Sequence, residues 1–221
     1  MTSFATKSYR FAEWMTRLAY VNLLWIAFSL LGLVVFGFAP ATAAMFAVVR
    51  KWVLGDDDVR VFETFWTTYK KEFVESNILG ISLGIVGYLI YIEFSILRSQ
   101  ESLVYFIASY GVIAQLILYF IIVMYFFPIF VHFKLKPFEY IKWPFIIGIG
   151  HPIMTIFLAV VTNVLMYVVM HTVPILAVFF GGSVTAFILT WGISKTFSFY
   201  EKNQKEKNKE EKNQKLDFAR S

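Results

Sequence analysis

The chain has 221 residues, of which 58% are hydrophobic, 19% aromatic and 16% charged, with a mean hydropathy of +0.65. A soluble domain of this length needs far more charge to cover its surface, so a soluble globular fold is excluded. The net charge of +5 and pI near 9.3 do not call for nucleic acid, because the lysines fall in loops and a tail where the positive-inside rule accounts for them.

Apolar runs of membrane-spanning length are predicted near residues 18–38, 77–97, 103–131, 144–170 and 173–194. The first run exceeds the roughly seven to fifteen residues of a signal-peptide core and is expected to remain as a span. The predicted fold class is therefore all-α, a polytopic transmembrane helical bundle forming one membrane-embedded domain over residues 1–200. The natural lack of cysteine excludes disulfides, thiolate metal sites and cysteine nucleophiles.

After the first run comes GFAPATAAMFAVVRKWVLG, in which Pro40 is placed to open a helix and Gly55 to close one. A hairpin helix over residues 41–54, carrying Thr42, Arg50, Lys51 and Trp52, would be about 21 Å long. That falls short of a bilayer core, so Arg50 and Lys51 are expected to snorkel inward with Trp52 at the interface. The hairpin sharpens the charge balance. Five crossings put sixteen Lys and Arg on one side and four on the other, whereas six put nineteen on one side and leave Arg98 alone opposite. Six crossings, with both termini cytoplasmic in a cell membrane, are preferred.

Asp56, Asp58 and the intervening Asp57 are then cytoplasmic, one expected to cap the following helix and the others to favour its positive end. That helix, predicted over 59–75, places Phe62, Phe65, Trp66, Tyr69 and Phe73 on one stripe and charges on the other side. Its stripe suits a lipid surface, the chain's own bundle or another protein, and the lipid interface is the plainer expectation. A second element, HFKLKPFEYIKWPF at 132–145, alternates Phe133, Phe138, Tyr140 and Trp143 with Lys134, Lys136 and Lys142, while Pro137 and Pro144 are expected to break any long helix. Together the two elements could build a platform.

Polar side chains inside spans are functional candidates because burying them is expensive. These are Gln115, His151, Asn163 and Glu93, with an interfacial pair to Arg98 expected for Glu93. His132, His151 and His171 fall at three different depths, so no histidine metal site is expected. Gly80, Gly84 and Gly87, and Gly182 with Ala186, fit small-residue helix packing inside the bundle, with a homodimer as the lesser use. No catalytic constellation converges, and neither enzyme chemistry nor a cofactor is assigned. The tail from 201 to 221 repeats EKNQK, has no apolar face and is expected to be disordered or a frayed helix.

NLLW at 22–25, PATAAM at 40–45, VVRKWVLGDDD at 48–58 and FETFWTTYKKEF at 62–73 resemble the hallmark region of the YesL-like family, a domain of unknown function known as DUF624. Two departures from the family pattern are the missing proline in the first span and Ala39 in place of glycine before the PAT turn. The resemblance implies a multi-span membrane protein of Gram-positive bacteria. It also implies an accessory role beside an ABC-type uptake system for oligosaccharides, whose subunits would be partners along with the lipid bilayer. An independent solute transporter is the alternative, built around the hairpin with Gln115 and His151.

Overall fold

In the computed structural model, the backbone is described for residues 2–99 and 102–220 and the side chains for residues 8–99 and 102–197. The described residues form helices α1 (Thr2–Leu31), α2 (Val35–Val53), α3 (Val61–Lys71), α4 (Phe73–Arg98), α5 (Leu103–His132), α6 (Glu139–Gly150), α7 (Pro152–Thr172) and α8 (Pro174–Arg220). Five are long and apolar enough to cross a membrane: Ser8–Leu31 of α1, Pro174–Phe197 of α8, and the whole of α4, α5 and α7. The chain is a multi-pass helical membrane protein.

The hairpin helix is longer than its sequence suggests and starts earlier. Where a first run to residue 38 was expected, α1 closes at Leu31 with a pair of backbone bonds, Val34 N–H to Ser29 carbonyl (2.8 Å) and Leu33 N–H to Leu30 carbonyl (3.0 Å). That is the six-to-one and five-to-two pattern of a Schellman stop, with Leu33 at φ 58° where glycine is usual. The turn is tight because Gly32 and Gly37 bring the two backbones into contact, leaving no room for a Cβ on either.

Pro40 consequently lies inside α2 and does not open it. A proline at this position strips the carbonyl of Phe36 of its helical donor. Asn77, buried at the start of α4, supplies the missing bond with Nδ2 at 2.9 Å from that oxygen. The same device recurs at Pro152, which strips the carbonyl of Gly148. The Thr155 hydroxyl lies 2.7 Å from that oxygen and 2.8 Å from the Tyr125 hydroxyl. Here the predicted run 144–170 divides at His151 (φ −125°, ψ 62°) into α6 and α7, and α6 continues through Pro144, which does not break it.

At 19 residues α2 is about 28 Å long, and it touches α1, α3, α4, α5 and α8. Its Ala41, Ala43, Ala44, Val48 and Val49 are fully buried, so small side chains let the neighbouring helices close over it. Gly80 packs on the Ala39 methyl, and Gly182 on Asn22 and Met45, which places these small residues in the bundle. Asn22 clamps α8, donating to the Val178 carbonyl at 2.6 Å and accepting from Ser183 N–H at 2.9 Å. Beyond the membrane run, α8 carries on as helical backbone to Arg220 through the segment expected to be disordered or a frayed helix. Glu and Lys four apart there, as at 201 and 205, favour helix, and the side chains beyond 197 lie outside those described.

Candidate functional site

One end of the bundle collects charged and aromatic side chains. The Arg17 guanidinium of α1 donates to the Asp57 carbonyl (2.8 Å), and Arg50 Nε of α2 donates to His132 Nδ1 at the end of α5 (3.0 Å). The His132 ring sits against Phe133 and Phe197, with centroids 4.6 and 4.5 Å away, tying the end of α8 to the same place. Trp14 meets both Trp52 and Phe187 edge-on. At the opposite end Arg98 lies over the Phe94 ring and makes no ion pair with Glu93. The expected pair fails because residues five apart on a helix point about 140° away from each other.

Between the end of α2, the polar face of α3 and the end of α5 lies an open cleft of about 630 Å³. Thr64, Thr67 and Thr68 form one wall, Phe130 to Lys134 the other, and Ala47 with Arg50 the inner side. Lys51 Nζ donates to Thr64 Oγ1 at 3.0 Å, Arg60 pairs with Glu63 at 2.7 Å and Lys71 with Glu72 at 3.0 Å. The Glu72 carboxylate holds the Lys71 ammonium above its ordinary range. Asp56 and Asp58 complete the lining, but no aspartate caps α3, whose N-cap is Arg60. Such a rim of alternating signs and hydroxyls is chemically suited to a charged polypeptide surface, where each side offers donors and acceptors.

The aromatic stripe turns the other way. Phe28 of α1 receives it: Phe65, Tyr69, Trp66 and Phe62 have ring centroids 5.3, 5.1, 5.4 and 6.5 Å from the Phe28 ring. The Tyr69 hydroxyl donates to the Phe28 carbonyl at 3.2 Å. Phe65 is fully buried and Tyr69 nearly so, which corrects the expectation that they meet lipid or a partner. The predicted helix also stops short, at Lys71. Phe73 begins α4 and packs edge-on against Tyr69. Phe62 and Trp66 alone stay accessible, 51% and 38% exposed, with Lys70 Nζ held 4.7 Å over the Trp66 ring. The fold brings the 132–145 element to the same cleft. Tyr140 pins its loop by donating to the Phe133 carbonyl and accepting from Leu135 N–H.

The intramembrane polar candidates do not gather. Gln115, Glu93 and Asn163 are exposed on outer faces of α5, α4 and α7, and Asn163 Nδ2 is spent on the Ala159 carbonyl of its own helix. His151 is half-buried at the α6–α7 break. Thr42 is buried, as are Pro40 and Trp52 of its motif; the Thr42 hydroxyl accepts from Trp25 Nε1 at 3.0 Å, and Trp52, expected at the interface, packs inside the bundle on Trp14. His132 and the threonine wall were not singled out from sequence as a site. A threonine run on the polar side of an amphipathic helix is a signal only once something is known to face it.

The family described as "Protein of unknown function, DUF624" matches residues 18–94, a stretch containing α2, α3 and the cleft wall they form. Three Bacillus subtilis proteins are similar over most of their length. "Uncharacterized protein YesL" is 40% identical over 89% of this chain and 93% of its own. "Uncharacterized protein YteU" is 39% identical over 80% and 79%. "Uncharacterized protein YesV" is 34% identical over 85% and 92%. No solved structure matches the chain. On this similarity, and on the helical membrane fold that carries it, the chain belongs to the YesL-like DUF624 family.

Proposed function

We propose that the protein is an accessory or scaffolding membrane subunit of a carbohydrate ABC-type uptake system, docking through the cleft end of its bundle. Membership of the YesL-like family is what points to the partner class. The observation that carries the docking face is the division of α3: its aromatic side is used internally on Phe28, and its polar side forms a charged cleft with the end of α5. By the positive-inside rule this end, with its lysines and arginines, faces the cytoplasm. Phe62 and Trp66 flank it as the accessible aromatic anchors.

An independent transporter is less well supported by the geometry. Its midplane site would need polar groups converging within the bundle, yet the centre is filled by the packed alanines and valines of α2, and Gln115, Glu93 and Asn163 face outward while His151 is half-buried at the α6–α7 break. The test is co-purification from native membranes in mild detergent, comparing wild type with a Phe62→Ser, Trp66→Ser, Thr67→Arg variant at matched expression. Stoichiometric recovery of carbohydrate-transporter subunits with wild type alone supports docking at this face. Recovery of none with either form overturns it.

A further inference from the structure

We propose that the protein pairs with a second copy of itself inside the membrane through the open face of α5 that carries Gln115. This goes beyond the docking proposal and does not depend on it. Gln115 lies about 18 Å along α5 from Leu103, near the middle of a 30-residue apolar helix. Its side chain is exposed on the bundle surface, and among the described residues it has no hydrogen-bond partner. The contrast with other exposed polar groups of the spans is direct. Ser82, Ser109 and Asn163 turn back onto carbonyls of their own helices, at 2.7, 2.6 and 2.8 Å. Gln115 instead faces hydrocarbon near mid-helix with an amide donor and an amide acceptor both unbonded.

Acyl chains satisfy neither group. A primary amide is complementary to itself, since each copy donates through NH₂ and accepts through its carbonyl, and a two-fold axis brings the same residue to the same depth. The surroundings allow close approach. Val104, Ala108, Gly111 and Leu118 lie within about 60° of Gln115 around the helix and are all exposed. A Cβ built on Gly111 meets nothing within 4 Å, so the space above it is open. Small residues beside a membrane amide are what lets two helices come near enough for that amide to bond across. One flank of this face is taken by the bundle, where Val112 is buried and Tyr119 donates to the Leu83 carbonyl of α4, about 60° and 40° round the helix from Gln115; the open side runs from Gln115 through Gly111 to Leu118.

Single cysteines introduced from 104 to 118 into the naturally cysteine-free full-length chain, followed by oxidative cross-linking in native membranes, test the pairing. Dimer yield should peak with helical period on positions 104, 108, 111 and 118 and stay at background at Ile117, which is exposed but on the far side of α5. Adding Gln115→Leu to the best-linking position should cut the yield at least about fivefold, and Gln115→Asn should retain more of it than Leu. A yield without helical phase, a yield at every position no higher than at Ile117, or adducts only with a chain of different mass would overturn the proposal.

Discussion

The central position of α2 rests on an exchange between Pro40 and Asn77, and a double-mutant cycle measures it. The Phe36 carbonyl has lost its helical donor to Pro40 and takes Asn77 Nδ2 instead, at 2.9 Å, where Asn77 is 7% exposed. Asn77→Leu fills similar space but leaves that carbonyl bare. An unsatisfied buried acceptor costs about 1–3 kcal/mol in a protein interior, and interhelical bonds in membranes average about 0.6 kcal/mol with a ceiling near 1.7. About 1 kcal/mol is therefore expected for this bond. In a Pro40→Ala background the restored Ala N–H reaches the Phe36 carbonyl itself, so the part of the Asn77→Leu penalty owed to that acceptor disappears. The loss of the second Nδ2 bond, to the Phe73 carbonyl at 2.8 Å, is common to both backgrounds and cancels in the cycle. Reversible unfolding in mixed micelles, followed by helical ellipticity, reads all four variants. A coupling near 1 kcal/mol supports the exchange, and equal penalties in both backgrounds, to within about 0.3 kcal/mol, refute it.

Other outcomes follow from the same geometry. Leu33→Gly should stabilise the α1–α2 turn by about 1 kcal/mol in the same unfolding assay, because Leu33 holds the left-handed position of a Schellman stop. Phe65→Ala should cost about 3–5 kcal/mol, as for a fully buried aromatic, whereas Phe62→Ala, half exposed, should cost about 1 kcal/mol or less; comparable losses would contradict the packing on Phe28. Burial raises the Tyr69 phenol above its ordinary value of 10.0. The folded state thus holds that proton more tightly than the unfolded, so its stabilisation is complete below about pH 10 and is lost as pH climbs through the folded value. Tyr69→Phe should flatten that alkaline loss, measured by unfolding across the range. In intact cells an impermeant thiol reagent should label Ser99→Cys and spare Lys136→Cys, and the reverse pattern would invert the proposed orientation.

The helical bundle was legible because hydrocarbon runs of spanning length carry their own signature, and α4, α5 and the membrane run of α8 match theirs closely. The start of α2 was not. Pro40 is a normal opening signal, and only Asn77, 37 positions later in the chain, makes a proline tolerable in its interior. A periodicity argument found the stripe Phe62, Phe65, Trp66, Tyr69 but could not say which way it turned. Phe28, one aromatic in an apolar run, decides that, and nothing local to it marks the choice. The cleft is of the same kind: α3 and the 132–134 segment each advertise charge, and their facing one another is a product of the intervening helices α4 and α5. Gln115 is the opposite case. Its oddity is visible in sequence, but that it points away from its own bundle is a fact of the fold.

The most direct test of docking at the cleft end is site-specific photocross-linking in growing cells, with a photoreactive residue at Thr67 in the cleft wall, at exposed Trp66, or at Tyr88 on the lipid face of α4. If this end of the bundle holds a carbohydrate-transporter subunit, adducts identified as that subunit form from positions 66 and 67 and not from 88. Adducts with no transporter subunit at 66 and 67, at expression matched to the endogenous system, would contradict it.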